Sequence, residues 1–447
     1  MALSGLEIYK LLPKTNCKEC GFPTCLAFAM KLAAKQVSLS DCPYVSDEAK
    51  EKLEAASAPP IVLVEIKGEE GDVKVGNETV IFRHEKTFYH KPGLFLRLKD
   101  TEDLETLKKK VTQADAFHVD YVGIDLFLDG YALEATSGDV DTFKNAIDAV
   151  RSVTEKPLIF ITPSAELAKA GAEASNGTQP LIYAADKDNW EAMANVAKEA
   201  GLPLAAQAET LEELADLTQK IKEAGVEQIV LDPSVKGYKD SLETFTTLRR
   251  LALKENFRPL GFPIISFPGS NEGVDETLLA AEQIAKYSSL VVLENFDPAN
   301  LYALLVLREN IYTDPQKPIQ VLPGIYEINS PDENSPLLVT TNFSITYFSV
   351  ANEVDGSGWP GWLLVTDSEG MSVLTAWAAG KFDAERIAKD AKTHDVESKV
   401  AHRKIIIPGH VAVISGELEE EMPGWEILVG PREAVDITSY LKAMWQK

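Results

Sequence analysis

The chain of 447 residues carries 69 acidic against 44 basic residues, a formal net charge of -25, which argues against nucleic acid or an anionic membrane as partner. Its 45% hydrophobic and 25% charged residues are ordinary globular composition, so large-scale disorder is excluded, and the length calls for roughly two to four domains. No run approaches the ~20 apolar residues of a membrane span, and "MALSGLEIYKLLPKTN" has no charged start, long apolar stretch or small-residue cleavage site, so a cytoplasmic protein is expected.

All four cysteines, Cys17, Cys20, Cys25 and Cys42, fall in the first tenth of the chain. In a reducing compartment such a cluster favours metal binding over disulfides. The spacing is C-x2-C-x4-C-x16-C, three thiols in one tight loop with Gly21 and Pro23, and a fourth after a predicted helix, Leu26 to Val37. Pro43 follows the last cysteine, as in many iron-sulfur loops, whereas a structural zinc site usually draws on two short-spaced pairs. A [4Fe-4S] cluster is the favoured reading, and zinc or four unrelated thiols are the alternatives.

At "EAASAPP", Glu54 to Pro60, small residues and prolines mark a linker. Beyond it a predicted hairpin, "IVLVEIKGEEGDVKVGNETVIFRH", precedes eight apolar strand candidates. These are "LFLRL" (from Leu94), "YVGIDLF" (Tyr121), "PLIFIT" (Pro157), "PLIYAA" (Pro180), "PLAAQA" (Pro203), "QIVLD" (Gln228), "PIISF" (Pro263) and "LVVLEN" (Leu290). Amphipathic stretches such as "TLEELADLTQKIKEAG" alternate with them, the pattern of a (β/α)8 TIM barrel. Its strand ends offer Asp100, Asp125, Thr162, Ser164, Asp186, Gln207, Glu209, Asp232, Ser266, Glu294 and Asn295. Polar residues end strands in any barrel, where they also cap helices, as Ser164, Asp232 and Ser234 could, so a scaffold role is favoured over a barrel active site.

The proline-rich, acidic stretch Tyr312 to Pro336 predicts a second boundary. The organisation expected is therefore a cluster domain over 1–57, a barrel over 58–325 and a smaller α/β domain over 326–447. The tail strands are "PLLVTT", "GWLLVT", "KIIIPG" and "WEILVGP", separated by helical stretches, which suits a doubly wound, Rossmann-like sheet with ligands beyond its strand ends. Loops rich in small hydroxyls and glycine stand there: Thr340-Thr341-Asn342, Thr366 to Gly370, Pro408-Gly409-His410 and Gly430-Pro431. They suit a ligand whose rim carries many amides, or serve merely to turn and cap.

The head "LSGLEIYKLLPKTNCKECGFPTCLAFAMKLA" with Cys42, the barrel, and a tail with "EGMSVLTAWAAGKF" and "PGHVA" together resemble the large-subunit family of corrinoid/iron-sulfur proteins of the reductive acetyl-CoA pathway. The resemblance spans the chain. It implies a methyl carrier whose base-off corrinoid is held between this C-terminal domain and a smaller partner subunit. The methyl group comes from a methyltetrahydrofolate methyltransferase and goes to carbon monoxide dehydrogenase/acetyl-CoA synthase. It implies that Cys17, Cys20, Cys25 and Cys42 hold a [4Fe-4S] cluster that reduces Co(II) back to Co(I). The corrinoid contacts expected from it are Thr340, Thr341, Thr346, Gly370, Met371, Ser372, Val373, Gly409, Gly430 and Ala434, with the nucleotide tail beside Trp377 or Phe343. None of the six histidines stands in a D-x-H-x-x-G motif, so no histidine is expected on cobalt, His410 included, and a weakly ligated cobalt favours the electron-rich state. Rival classes are an iron-sulfur electron-transfer subunit without corrinoid and a pterin-binding barrel methyltransferase.

Overall fold

A computed structural model describes residues 5–33, 37, 39–46, 49, 59–121, 124–175, 177–271, 273–314 and 319–445. The linker predicted from Glu54 lies outside the described residues as far as Ala58, as does the boundary after residue 57, and so does most of the helix extension beyond Ala33. The chain folds as two compact units: Met1–Phe117 with Phe127–Tyr312, and His118–Leu126 with Thr313–Lys447.

In the first unit, helices Gly5–Leu11 and Cys25–Ala33 form the head. The hairpin β1 (Val64–Lys67) and β2 (Asp72–Val75) follows, then β3 (Gly93–Lys99). The next two strands, β4 (Val119–Tyr121) and β5 (Ile124–Leu126), pair antiparallel and belong to the second unit. The barrel resumes with β6 (Gly130–Glu134), β7 (Leu158–Ile161), β8 (Leu181–Ala185), β9 (Leu204–Gln207), β10 (Ile229–Asp232), β11 (Ile265–Ser266) and β12 (Leu290–Leu293). All eight barrel strands are parallel in the order β10-β9-β8-β7-β6-β3-β12-β11, and a parallel bridge from Leu231 to Ile264 brings the two ends together.

The predicted strand "YVGIDLF" is thus a correction: its described residues form the β4–β5 hairpin, and the barrel's second strand is "GYALE". Alternating exposure over Val119–Tyr121 and Ile124–Leu126 is what a half-buried hairpin shows. The "GYALE" run is too short and too poor in branched residues to stand out. Gly130 at its start has a packing reason, since a Cβ there would lie 2.3 Å from the Pro157 carbonyl oxygen and 2.6 Å from the Phe95 ring.

Phe95, Ala132, Ile159, Leu181, Ala205, Val230, Ile265 and Leu290 fill the barrel, and Val64, Ile66, Val73 and Val75 of the hairpin pack into the same core. Each such side chain contributes about 1.5–3 kcal/mol on full burial, which is why a hairpin of two four-residue strands stays seated. Outside, helices begin at side-chain caps: Asp103, Asp139, Ser164, Thr210 and Asp275 each accept a first-turn N–H. Ser164 is therefore a cap as expected. Asp232 and Ser234 are not, because the helix after β10 is preceded by Lys236 at its cap position, with no side-chain cap bond.

The second unit holds β13 (Gly324–Ile328), β14 (Leu337–Thr341), β15 (Gly361–Thr366), β16 (Lys404–Ile407) and β17 (Glu426–Val429), in the order β13-β15-β14-β16-β17. All are parallel except β13, an antiparallel edge strand lying within the stretch predicted to be a boundary. From β14 the chain moves outward to β15, then crosses back to β16 on the far side. The winding therefore reverses between β14 and β16. Alternate residues along each strand separate to opposite faces: Leu337, Val339, Ile405 and Ile407 meet the helices Val373–Ala378, Ala384–Thr393 and Ser415–Glu421. Leu338, Leu363, Val365 and Ile406 meet Val354, Ile437 and Leu441 on the other face, and Tyr121 of the hairpin packs with Tyr326 and Tyr347 there.

Candidate functional sites

The head folds around its cysteines. Cys25 and Cys42 are buried with Ile8, Leu12, Phe28 and Val45, while Cys20 is half-buried and Cys17 exposed, and all four thiols are free. Loop residues Lys14, Asn16, Lys18 and Gly21 all have positive φ, and Asn16 Oδ1 accepts the Cys25 N–H at 2.8 Å. That bond ties the loop to the start of the helix bearing the third thiol. Burial pushes the Cys42 thiol up, and the charges of Cys20, Cys25 and Cys17 push it the same way, so the four sulfurs are electrostatic neighbours. Phe22 and Phe28, with ring centroids 5.8 Å apart, give the group an apolar flank. Among the described residues no three His, Cys, Asp or Glu side chains stand as a closed metal-ion cage. The donor set is nonetheless the soft, all-thiolate kind that suits iron-sulfur clusters or zinc.

The barrel mouth is polar but internally paired. Arg97 is held between Glu134 at 2.8 Å and Glu294, with Phe267 beneath its guanidinium at 5.9 Å. Buried Asp232 accepts from the Tyr183 hydroxyl at 2.5 Å and from Gln207 at 3.0 Å, and burial pushes its carboxyl up. Asp100 accepts from the Ser137 N–H at 2.9 Å and from Thr136 at 3.0 Å, and Ser266 pairs with Ser288 at 2.8 Å. Asp125 is not at this mouth at all, since it lies in the β4–β5 hairpin beside His118. Most of these strand-end residues thus already bond neighbouring protein groups.

At the reversal between β14 and β16 opens a cavity of about 370 Å³. This is where open α/β sheets hold ligands. Six of the ten residues expected to contact a cofactor line it: Thr340, Thr346, Ser372, Val373, Gly430 and Ala434. The other four stand just behind. Thr341 is buried in the sheet, and Gly370 and Met371 belong to the turn beneath Ser372. Gly409 lets two loops touch, because a Cβ there would lie 2.5 Å from the Gly430 carbonyl oxygen. Neither Trp377 nor Phe343 is in the wall, whereas His410 is, with its Nε2 3.6 Å from Glu433.

Two features bear on what the cavity accepts. The Thr340 hydroxyl is buried at the wall with no hydrogen-bond partner among the described residues, and the Thr341 hydroxyl behind it is likewise unpaired there. Leaving a buried hydroxyl unpaired costs about 1–3 kcal/mol, so Thr340 is poised to bond an incoming polar group. At the cavity, Ile345 and Leu374 expose their apolar side chains. A large ligand with an apolar body and polar rim fits such a surface. Sequence reasoning places Asn342 in a ligand-edge loop but gives it no role of its own; it is buried directly after β14 and its side chain bonds two other segments, Gln320 before β13 and the turn at Ser368 and Gly370. Its signal is a polar residue placed where a strand ends against a Glu-Gly turn.

A family model described as CO dehydrogenase/acetyl-CoA synthase delta subunit matches residues 63–441, and a model for an Fe-S cluster segment matches residues 12–44. The chain is 45% identical to the Corrinoid/iron-sulfur protein large subunit of Moorella thermoacetica over 443 residues, covering 99% of each. It is 37% identical to the Acetyl-CoA decarbonylase/synthase complex subunit gamma of Archaeoglobus fulgidus over 464 residues, covering 99% of this chain and 98% of that one. Among solved structures, dihydropteroate synthase from Thermus thermophilus aligns with a TM-score of 0.38 and 16% identity, over 56% of this chain and 99% of that one. At 45% identity over its full length, the chain belongs to the family of corrinoid/iron-sulfur protein large subunits, to which the archaeal gamma subunits are also related.

Proposed function

We propose that this protein is a methyl carrier that binds a [4Fe-4S] cluster in its head and a corrinoid in its C-terminal, doubly wound α/β unit. The observation that carries the reading is the joint presence, in one chain related end to end to a corrinoid/iron-sulfur protein, of a four-thiol head and a switch-point cavity with an unpaired buried threonine. When bound, the corrinoid supplies the cobalt that takes up and gives away the methyl group, and the cluster supplies the electron that keeps it reactive.

The chain's own residues hold and shield. Cys17, Cys20, Cys25 and Cys42 ligate the cluster, with Phe22 and Phe28 limiting water at its flank. Thr340, Thr346 and Ser372 offer hydroxyls to amides of the corrin rim, while Val373 and Ala434 cover its apolar body. His410, with its Nε2 3.6 Å from Glu433, would line the cofactor's site, and with no D-x-H-x-x-G motif in the chain it would not be expected to supply a donor to the cobalt. The partners expected are the smaller corrinoid/iron-sulfur protein subunit, a methyltetrahydrofolate methyltransferase and acetyl-CoA synthase/carbon monoxide dehydrogenase. The barrel serves as scaffold.

The test is cobalt and iron content with an absorption spectrum, on protein made anaerobically with the smaller subunit and a corrinoid supply. About one cobalt and four iron per chain supports the carrier. Iron without cobalt makes it an electron-transfer subunit, and zinc in place of iron overturns the cluster.

A further inference from the structure

Asn342 follows the last residue of β14 and is almost wholly buried. Its side-chain oxygen accepts two backbone N–H groups, from Ser368 at 2.9 Å and Gly370 at 3.0 Å. Two donors on one atom can only face the amide oxygen, so the amide NH2 is left to donate to Gln320 Oε1, at 3.0 Å. The backbone repeats the pattern: Asn342 N–H donates to Thr366 O at 3.0 Å, and Asn342 O accepts from Val321 N–H at 2.9 Å. One side chain and its own peptide groups therefore join the segment before β13, the end of β14 and the turn after β15.

That turn needs holding. Glu369 and Gly370 both have positive φ, at 53° and 71°, a pairing that a non-glycine residue adopts only at a cost. Gly370 also packs so closely on Gln320 that a Cβ would lie 2.7 Å from its Cγ. Two residues later the chain becomes the cavity wall, at Ser372, Val373 and Leu374.

We infer that Asn342 is a positioning residue for the cofactor: by bonding Ser368 and Gly370 it fixes the wall segment Ser372–Leu374 at the height the ligand requires. The assignment rests on the reading that a corrinoid occupies this cavity. Asn342 does not line the cavity and touches no ligand in this scheme. Its effect passes through the turn.

The test compares wild type with Asn342→Ala, Asn342→Asp and Gly370→Ala, each made as the full chain with its smaller subunit. Two quantities are read: hydrogen exchange at the Ser368 and Gly370 amides of corrinoid-free protein, and the rate of cobalt loss from corrinoid-loaded protein. Asn342→Ala is expected to speed both by about tenfold, the effect of losing an ordinary buried hydrogen bond. Asn342→Asp keeps the accepting oxygen and is expected to restore most of the amide protection and cobalt retention. Gly370→Ala disturbs the turn with Asn342 intact and is expected to speed cobalt loss alike, which keeps the test open should Asn342→Ala fold poorly. Faster exchange with wild-type cobalt retention in Asn342→Ala overturns the positioning role. If wild type itself retains no cobalt, the cofactor reading falls and takes this assignment with it. Loss confined to the variants cannot arise that way.

Discussion

Replacing Thr340 by valine should make the corrinoid-free protein more stable while weakening its hold on the cofactor. The Thr340 hydroxyl is fully buried and has no partner among the described residues, so the folded unit carries a desolvated polar group that valine lacks at almost the same volume. Removing it should return about 1–3 kcal/mol. For a unit of this size each kcal/mol moves the melting point by roughly 3–5 °C, so the rise should be plain in a calorimetric scan. With corrinoid present the hydroxyl gains a rim amide to bond, and its loss should weaken retention roughly threefold to tenfold. Thr341→Val supplies the control: its hydroxyl is equally unpaired but lies behind the wall, so stability should rise with cobalt content unchanged. Two results would refute the reasoning. One is a lower melting point in Thr340→Val, which would mean the hydroxyl had a partner, and the other is equal cobalt retention in both variants.

Thr346→Val should likewise lower cobalt content while leaving the cluster spectrum intact, and unchanged cobalt would remove Thr346 from the contacts. Cys42→Ser should cut iron from about four per chain to three or fewer and leave cobalt unaffected; full iron with an unaltered spectrum would exclude Cys42 as a ligand. Arg249 is buried against Glu78 at 3.0 Å and stacks near Phe88 and Tyr287, so Arg249→Leu should cost about 3–5 kcal/mol in urea unfolding by stranding the carboxylate. A loss under about 1 kcal/mol would mean that the N–H donors of Tyr89 and His90 suffice for Glu78. Asp232 has its carboxyl raised by burial, so its contribution is fully present below the unfolded value of about 3.9 and drains away as pH climbs through the folded value. Asp232→Asn should therefore gain on wild type in denaturation midpoint as pH rises above the unfolded value, and parallel pH profiles would show the carboxyl to be unshifted.

The cysteine-bearing head and the barrel are readable because each rests on a local signal. Four cysteines at close spacing need no tertiary information, and runs such as "PLIFIT" and "QIVLD" are apolar because parallel strands are buried on both faces. Sequence reasoning fails where a segment's role depends on distant partners. Tyr121 looks like a barrel strand residue until its neighbours prove to be Tyr326 and Tyr347, some two hundred positions on. Strand β13, "GIYEI", is hidden among prolines and acids because an edge strand pairs on one side only. In the tail the region of the cavity is legible from glycines and hydroxyls after strands. Which of them face inward is not, because Thr340 and Thr341 are identical side chains one residue apart and only the pleat separates wall from interior. Asn342 escapes for a related reason: a polar residue at a strand end is ordinary, and its importance lies in bonds to residues 22 to 28 positions away.

The hairpin β4–β5 makes the covalent joint between the two units a three-stranded one. The chain crosses at Phe117–His118, returns at Leu126–Phe127 and crosses again at Tyr312–Thr313. A domain on a single cord spins freely about it, whereas one on three cords winds them around one another and meets a torsional stop. Any movement of the C-terminal unit about this joint must then be a bounded swing, with the hairpin travelling as its passenger. One engineered peptide cut after Tyr312 severs the last covalent link of residues 313–447, so the pieces should stay together through the packing of the hairpin in the second unit; a unit that drifts free after that single cut would show that the hairpin follows the barrel instead.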